Sequence, residues 1–343
     1  MLWPTFANLF APRFDWIQVE VSTHCQAACS YCPHTLYQDR WTSNHLPLAT
    51  FRRLLPDLKR ANLVHLQGWG EPFLHPEFFT LVSLARQAGC QVGTTTNGML
   101  LDADSLARLV DLEVSVVAFS LAGVGENNDR VRRGTRFATV LEKIKILHEI
   151  KARKGAVLPQ VHVAYMLLRS GLADLAFLPR TLAGLGVSQV VVSTLDFVAE
   201  PALAQESLRL ITPEEHREAA AKLDSLALRS RGLGLEVHGG LPPPGQSLPA
   251  CPENIHRALV VATGGEVTPC VFLNLPVQSA AQVNSTGTHP WERLSFGNLA
   301  QKSLAAVWKS PAYRQFRRAF ARGPLPLSCR CCLKLNANDF EAG

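Results

Sequence analysis

The chain has 343 residues, of which 47% are hydrophobic and 18% are charged. This balance is typical of a soluble globular protein and argues against a disordered chain, a collagen or a coiled coil. The 34 basic and 28 acidic side chains leave a net charge of +6, which is too small to indicate nucleic-acid binding. The most apolar stretch, 114–125, is far shorter than the roughly 20 residues that cross a membrane, so we expect a cytoplasmic protein with no membrane partner.

The nine cysteines are an odd number, and most of them fall in two tight clusters. At this chain length roughly three quarters of the unfolded surface can be buried, so the fold needs no disulfides for stability. We therefore expect a reducing compartment and thiolates that bind metal. Cys90 lies apart from both clusters, and we interpret it as a small buried hydrophobic residue.

Short β-branched segments alternate with longer helical segments from Trp16 to about Asp196. Strict alternation predicts a parallel sheet with helical crossovers. The predicted strands are 16–22, 63–67, 91–96, 114–120, 159–167 and 188–195. The predicted helices between them are 48–60, 76–88, 103–110, 136–151 and 174–185. We predict an α/β fold in which a partial (β/α)6 TIM-like barrel is followed by a small C-terminal domain.

Composition divides the chain into four segments. Residues 1–15 are apolar and are interpreted as an N-terminal cap, with a docking or membrane-touching helix as the alternative. Residues 16–200 contain the alternating strands and helices. Residues 201–245 contain a helix that starts at the capping box of Thr212, followed by a Gly/Pro-rich linker. Residues 246–343 contain the second cysteine cluster.

Polar side chains alternate with apolar ones in the first two predicted strands, so one face of the sheet should line a polar interior. Glu20 and His65 lie on that polar face, and Asp196 ends the last predicted strand. These three are candidate general bases. Residues in such positions usually serve the structure, so the sequence leaves the catalytic base unassigned.

Three cysteines, Cys25, Cys29 and Cys32, directly follow the first predicted strand. Three thiolates within eight residues let one loop wrap an iron–sulfur cubane, in which each cysteine binds one iron and the fourth iron has no protein ligand. His24 and His34 flank the loop, but the C-x3-C-x2-C spacing is not a usual zinc pattern. The spacing therefore favours an iron–sulfur cluster.

Two further motifs follow the next two predicted strands: Gly-Trp-Gly-Glu-Pro at 68–72 and Thr-Thr-Asn-Gly at 95–98. Together with the cysteine motif they resemble the radical S-adenosylmethionine (SAM) enzymes, and the resemblance covers about 16–196. It implies that the three cysteines carry a 4Fe-4S cluster whose open iron chelates SAM. One electron then cleaves SAM into methionine and a 5′-deoxyadenosyl radical.

The resemblance also implies a set of SAM-binding residues. Glu71 would accept the methionyl ammonium, and Gly68 and Gly70 would let the backbone approach closely. The other implied contacts are Tyr31 near the adenine, Asn97, Ser120 at the end of the fourth strand, and Arg133 at the SAM carboxylate, with Arg132 as its alternative. The family usually has glycine where Trp69 stands and commonly has aspartate where Ala122 stands.

The C-terminal segment contains five cysteines. Their pattern resembles the SPASM region of radical SAM enzymes in its shortened form, Twitch. The resemblance implies one fully coordinated auxiliary cluster with an electron-transfer role, held by Cys251, Cys270, Cys329 and Cys332. Cys331 could replace Cys332 as ligand or could stay free as a hydrogen-atom donor. A zinc ribbon is the alternative for the whole group.

The sequence thus predicts a radical SAM oxidoreductase that uses SAM and two 4Fe-4S clusters. Its alternatives are a peptide maturase and an electron carrier without catalysis. Only about fifteen residues precede the first strand, which favours a small-molecule substrate, or a peptide presented by a separate recognition protein. Because no flavin or nicotinamide motif is present, we expect a flavodoxin or ferredoxin as electron donor. Arginines 314, 317, 318 and 322 recur at helical spacing and form either a solvated helix face or a dock for that donor.

Overall fold

The computed structural model describes residues 13–241 and 251–335. The predicted N-terminal cap at 1–15 and the Gly/Pro-rich linker lie largely outside these ranges. Helices and strands alternate as the sequence predicts, which confirms the α/β fold class. No helix within the two described ranges is long and apolar enough to cross a lipid bilayer.

The described ranges contain thirteen strands. In chain order they are β1 Phe14–Val19, β2 Ala28–Cys29, β3 Ala61–Leu66, β4 Gln91–Thr96, β5 Val116–Leu121, β6 Arg132–Arg133, β7 Gln160–Leu167, β8 Val187–Thr194, β9 Glu236–His238, β10 Ala258–Val261, β11 Val267–Thr268, β12 Ala280–Asn284 and β13 Gly287–Trp291.

The same ranges contain eleven α-helices. In chain order they are α1 Pro33–Leu36, α2 Leu48–Leu58, α3 Phe78–Gln87, α4 Ala103–Asp111, α5 Glu126–Val131, α6 Phe137–Lys154, α7 Leu178–Leu182, α8 Pro213–Arg231, α9 Leu304–Trp308, α10 Pro311–Arg322 and α11 Leu327–Arg330.

Nine strands form one sheet in the order β11-β10-β1-β3-β4-β5-β7-β8-β9. Strands β1, β3, β4, β5, β7 and β8 are parallel and joined by helices, as the partial barrel requires. The helix predicted at 174–185 is shorter than expected: a 3-10 turn at Asp174–Ala176 precedes α7. Pro179 stands in the first turn of α7. Because proline has no N–H to donate to a carbonyl one turn earlier, the α-helix does not extend further toward the N-terminus.

The barrel interior is polar where strand alternation predicts it. Ile17 and Val19 of β1 are fully buried against the helices, whereas Gln18 points to the other face and accepts a hydrogen bond from Gln67 Nε2 at 3.0 Å. His65 Nε2 is hydrogen-bonded to Thr95 Oγ1 at 3.0 Å, and burial lowers the pKa of His65 to about 4. His65 is therefore neutral near pH 7 and part of an internal polar network.

The C-terminal segment extends the barrel sheet. Strand β10 is parallel to β1, with Trp16 opposite Ala258 and Val19 opposite Val261, and all four residues of β10 are buried. Beside this pairing, Asp15 at the start of β1 forms an ion pair with Arg257 at 2.7 Å. The sequence gives no local signal for this long-range pairing. The predicted boundary between 245 and 246 therefore separates two segments of one continuous sheet.

Leu259→Ala tests whether β10 is a core strand. Leu259 is only 1% exposed, so the substitution should lower the free energy of unfolding by about 2–5 kcal/mol through lost burial and a residual cavity. Urea denaturation of the protein without clusters, followed by tryptophan fluorescence, measures this change. The control is Leu228→Ala on α8, where the side chain is 72% exposed and little change is expected. Equal stability of the two variants would contradict the core placement of β10.

Candidate functional site

The three N-terminal cysteines lie beyond the C-terminal end of β1, where barrel sites are built. Cys29 is buried in β2, which pairs with β6, and Cys25 and Cys32 are partly buried on either side of it. Burial, together with a smaller effect of the neighbouring thiols, raises the pKa of Cys25 to about 11 and that of Cys32 to about 12. The three thiols interact electrostatically on one loop and match in number the protein ligands of a cluster with an open iron, although no three His, Cys, Asp or Glu side chains of the described residues stand in a metal-binding arrangement in this structure.

The Gly-rich loop packs directly on the chain that enters the cysteine loop. The N–H of Glu71 donates to the carbonyl of His24 at 2.8 Å, and a Cβ atom on Gly70 would lie 2.3 Å from that same oxygen. A Cβ atom on Gly68 would lie 2.3 Å from Cγ of Glu20. Both glycines are therefore required by packing within the protein, a reason that differs from the close approach to SAM that the resemblance implies.

The side chain of Glu71 ties the Gly-rich loop to the end of β4. Its carboxylate accepts hydrogen bonds from Thr96 Oγ1 at 2.7 Å, from the N–H of Asn97 at 2.8 Å and from the N–H of Phe73 at 3.3 Å. Burial raises the pKa of Glu71, and these hydrogen bonds oppose that rise. A carboxylate has about four acceptor positions, so the loop itself already uses most of this group.

Asn97 connects the third motif to the cysteine loop. Its Oδ1 accepts hydrogen bonds from Gln26 Nε2 and from the N–H of Met99, each at 3.0 Å. Gln26 directly follows Cys25. The cysteine loop, the Gly-rich loop and the Thr-Thr-Asn-Gly turn are therefore one hydrogen-bonded unit, although they lie far apart in the sequence.

The two neighbouring arginines of β6 face opposite sides. Arg132 is 7% exposed, its Nη1 donates to the hydroxyl of Tyr31 at 2.5 Å, and its buried Nε has no hydrogen-bond partner among the described residues. Arg133 is exposed, and its Nε donates to the carbonyl of Ala28 at 3.3 Å. Arg132, the alternative left open by the sequence, is thus the buried one of the two and the one that contacts Tyr31 of the cysteine loop. Ser120 is half-buried near the end of β5.

Four C-terminal cysteines from three separate segments line one cavity. They are Cys251, Cys270, Cys329 and Cys332. Cys331 is buried but lies outside the lining of this cavity, so the structure favours Cys332. Burial raises the pKa of Cys329 and of Cys332 to about 12. The four thiols that line this cavity match in number the complete ligand set of one cluster.

Two ion pairs lie near the C-terminal cysteines, one lining the cavity and the other buried beside it. Lys334 and Glu253 both line it and form an ion pair with each other. Asp196, a candidate base, pairs with Arg209 at 2.7 Å and accepts a hydrogen bond from Thr194 Oγ1 at 2.7 Å. Since its charge is already compensated, the structure does not mark Asp196 as the catalytic base.

Glu20, another candidate base, lies beneath the Gly-rich loop. Its carboxylate accepts hydrogen bonds from the N–H of Trp69 at 3.2 Å, the N–H of Thr263 at 3.5 Å and Asn274 Nδ2 at 3.4 Å. Burial raises the pKa of Glu20 to about 7. These contacts connect β1 with the Gly-rich loop and with the C-terminal segment. Glu20 therefore has a structural role. The catalytic base stays unassigned.

Trp69 joins the Gly-rich loop to the C-terminal cysteine site. Its indole N–H donates to the carbonyl of Val271 at 3.2 Å, and its ring lies 6.0 Å from that of Phe272. Val271 directly follows Cys270, and Phe272 lines the four-cysteine cavity. The only indication of this contact in the sequence is the bulky Trp69 at a position where the family usually has glycine. The partner of the indole ring can be identified only in the structure.

Two family models match the chain. The model of the radical SAM superfamily matches residues 19–169, which include the three N-terminal motifs. The model of SPASM, an iron–sulfur cluster-binding domain, matches residues 251–333, which include all five C-terminal cysteines. The matches agree with the family resemblance of both parts of the sequence.

Similar proteins cover almost the whole chain. The tungsten-containing aldehyde ferredoxin oxidoreductase cofactor-modifying protein of Pyrococcus furiosus is 27% identical over 95% of this chain and 89% of its own length. The PqqA peptide cyclase of Ruegeria pomeroyi is 26% identical over 92% of this chain and 79% of its own length. The crystal structure of Streptococcus suis SuiB bound to S-adenosylmethionine has a TM-score of 0.67 at 16% identity, over 95% of this chain and 72% of SuiB, and shows the same fold.

Gly70→Ala tests the packing of the Gly-rich loop. The new methyl group would displace the loop from His24, so we expect SAM affinity to fall at least about tenfold, which corresponds to about 1.4 kcal/mol. Calorimetric titration of the anaerobically reconstituted protein with SAM measures it. The control is Gly240→Ala, because a Cβ atom at Gly240 would meet nothing within 4 Å. Unchanged SAM affinity of Gly70→Ala would show that the loop tolerates the shift.

Paired substitutions of Cys331 and Cys332 test which of them is the ligand. Cys331→Ala should keep the iron content of the reconstituted protein, about eight irons in two cubanes, because Cys331 lies outside the cavity. Cys332→Ala should lower that content by up to about four irons. Iron and sulfide analysis with Mössbauer spectroscopy measures both. Loss of iron in Cys331→Ala alone would reverse the assignment.

Proposed function

The chain contains a radical SAM domain and, in its C-terminal part, a SPASM iron–sulfur cluster-binding domain, and from this premise we propose that it oxidatively modifies a peptide. It is an enzyme whose cofactors are SAM and 4Fe-4S clusters. We propose a peptide substrate because the chain is similar to PqqA peptide cyclase over 92% of its length. This proposal takes the alternative of the sequence analysis in place of its main expectation, a small-molecule substrate.

We assign each cluster to the cysteines whose arrangement fits it. The N-terminal cluster is assigned to Cys25, Cys29 and Cys32, since these provide three sulfurs on one supported loop. The auxiliary cluster is assigned to the four cysteines that line the C-terminal cavity. When bound, the N-terminal cluster and SAM supply a 5′-deoxyadenosyl radical that removes a hydrogen atom from the substrate.

The residues around the N-terminal cysteines hold and orient SAM in this proposal. Glu71 positions the Gly-rich loop through its hydrogen bonds to Thr96 and Asn97, and the backbone of that loop would hold the methionyl group of bound SAM. Arg132 has a buried Nε without a partner in the described part of the chain, beside Tyr31, so it is proposed to bind the SAM carboxylate. Arg133, which is exposed and donates to the carbonyl of Ala28, is the second candidate for that role.

Oxidative modification removes two hydrogens from the peptide, one as an atom and the other as a proton and an electron. Since the four C-terminal cysteines supply every protein ligand that the auxiliary cluster needs, we assign its site to electron transfer and not to substrate binding. A flavodoxin or ferredoxin is proposed as the external electron donor, because the sequence has no flavin or nicotinamide motif. An electron carrier without catalysis fits poorly with relatives that are named as enzymes.

One observation favours a second substrate class. The Pyrococcus furiosus relative matches 95% of this chain and is named as a cofactor-modifying protein of a tungsten enzyme. By that similarity the substrate would be the cofactor of another oxidoreductase. The same two cluster sites would serve this reaction.

The function is tested with anaerobically reconstituted protein, SAM, dithionite and the short peptides encoded next to its gene. We expect 5′-deoxyadenosine and a peptide that is lighter by two hydrogen atoms, both measured by mass spectrometry. The control replaces Cys25, Cys29 and Cys32 with alanine and should yield neither product. Formation of 5′-deoxyadenosine with every candidate peptide unchanged would contradict the peptide proposal. No 5′-deoxyadenosine from fully loaded protein would contradict the assigned SAM chemistry.

A further inference from the structure

The positive charge of the chain is concentrated around the auxiliary site. The stretch 293–335 contains nine lysines and arginines and neither aspartate nor glutamate. The rest of the chain then has 25 basic and 28 acidic residues, so this stretch accounts for the whole positive excess. It includes α10, α11 and two of the four auxiliary cysteines.

Helix α10 separates the auxiliary cavity from solvent. Phe316 and Phe320, four residues apart, both line the four-cysteine cavity. Three arginines at the same four-residue spacing occupy the opposite, exposed side of the helix. They are Arg314, Arg318 and Arg322, and we call them the arginine face. One helix diameter, about 10 Å, separates this face from the cavity side.

Arg317, which the sequence groups with these three, has a different environment. Its guanidinium lies over the rings of Trp308 and Tyr313, at 3.8 and 4.5 Å, and donates to the carbonyl of Trp308 at 2.8 Å. It therefore holds α10 on α9, whereas the arginine face remains exposed.

A groove adjoins the arginine face. It runs between α10 and the segment 323–326, is floored by apolar side chains such as Phe296 and Leu325, and is bordered by Arg318 and Arg322. Phe316 lines this groove and also the four-cysteine cavity. One buried aromatic side chain thus stands between the surface and the auxiliary site.

We infer that the arginine face and its groove are the docking surface of an acidic one-electron carrier protein of the flavodoxin or ferredoxin class. The partner is argued from charge, because the stretch lacks acidic residues and an acidic protein complements it. It is also argued from position. Phe316 lines both the groove and the four-cysteine cavity, and such a short separation favours electron transfer between a bound redox protein and the auxiliary site. A nucleic acid would also complement the positive charge. Because it is not an electron carrier, the closeness of this surface to the auxiliary cysteines does not favour it as the partner.

This inference rests on the proposed electron-transfer role of the auxiliary site. In each turnover the substrate radical loses one electron and one proton. The docked oxidised carrier accepts that electron and becomes reduced by one electron, and the proton passes to solvent. The reduced carrier, docked on the same surface, can also donate an electron to the auxiliary site.

The test reverses the three charges of the arginine face in one variant, Arg314→Glu/Arg318→Glu/Arg322→Glu. Binding of an acidic flavodoxin to the cluster-loaded protein is measured by calorimetry at low ionic strength, and we expect the dissociation constant to rise at least tenfold. The matched control reverses three exposed arginines on the barrel helices, and its affinity should stay within about twofold. These are Arg153, Arg180 and Arg217. Added salt should weaken wild-type binding and remove the difference.

Electron transfer supplies a second readout. Both charge-reversed variants are made in the protein that lacks the N-terminal cluster, so that only the auxiliary cluster can accept electrons. Stopped-flow absorbance then follows the oxidation of flavodoxin hydroquinone. The arginine-face variant should react at least tenfold more slowly than the control, while both are reduced equally fast by dithionite, which does not need a docking surface.

Equal flavodoxin binding and equal rates in the two variants would overturn the inference. So would a loss of duplex DNA binding in the arginine-face variant with flavodoxin binding unchanged, since the surface would then serve a nucleic acid. The assay contains neither SAM nor peptide. Failure of the peptide proposal therefore leaves this result standing, and failure of docking leaves the peptide assay unaffected.

Discussion

The buried carboxylate of Glu20 is the interaction on which the relative placement of the two cysteine sites depends. It follows β1 and accepts hydrogen bonds from the N–H groups of Trp69 and Thr263 and from the side chain of Asn274. These donors belong to the Gly-rich loop, to the end of β10 and to the segment after Cys270. Because the group is buried, leaving its acceptor atoms without donors would cost about 1–3 kcal/mol, which favours the arrangement in which all three segments contact it.

The two cysteine sites are consequently in contact through residues that belong to both segments. Trp69 reaches from the Gly-rich loop to Val271, and Leu333, which follows Cys332, packs in one buried cluster with Cys29 and Tyr31. Residues of the C-terminal segment thus close over the N-terminal cysteine loop. This contact between the two segments is compatible with the proposed reaction, in which hydrogen removal at one site is followed by electron removal toward the other.

Local periodicity predicted most of the barrel and part of the site. The six barrel strands were predicted within three residues of their observed bounds, because alternation of polar and apolar side chains is encoded locally. The polar interior around Gln18 and His65 follows from the same alternation. Cys25, Cys29 and Cys32 are recognisable because their spacing itself reflects how a loop wraps a cluster.

Features that depend on distant segments were beyond the sequence. The pairing of β10 with β1 joins residues more than two hundred positions apart, and no local pattern encodes it. The choice between Arg132 and Arg133 depends on which side of a two-residue strand faces inward. The closeness of Gly70 to His24 is a contact between two loops, and the exclusion of Cys331 depends on how α11 ends.

The insertion of β10 beside β1 has a consequence for dissecting the protein. A fragment that ends before Ala258 would retain all six barrel strands but would leave the N–H and C=O groups along one side of β1 without their partners. An open strand edge that is flanked by fully buried residues such as Ile17 is a template for pairing with other chains. The radical SAM segment on its own is therefore expected to aggregate, because the C-terminal domain covers the edge of its sheet.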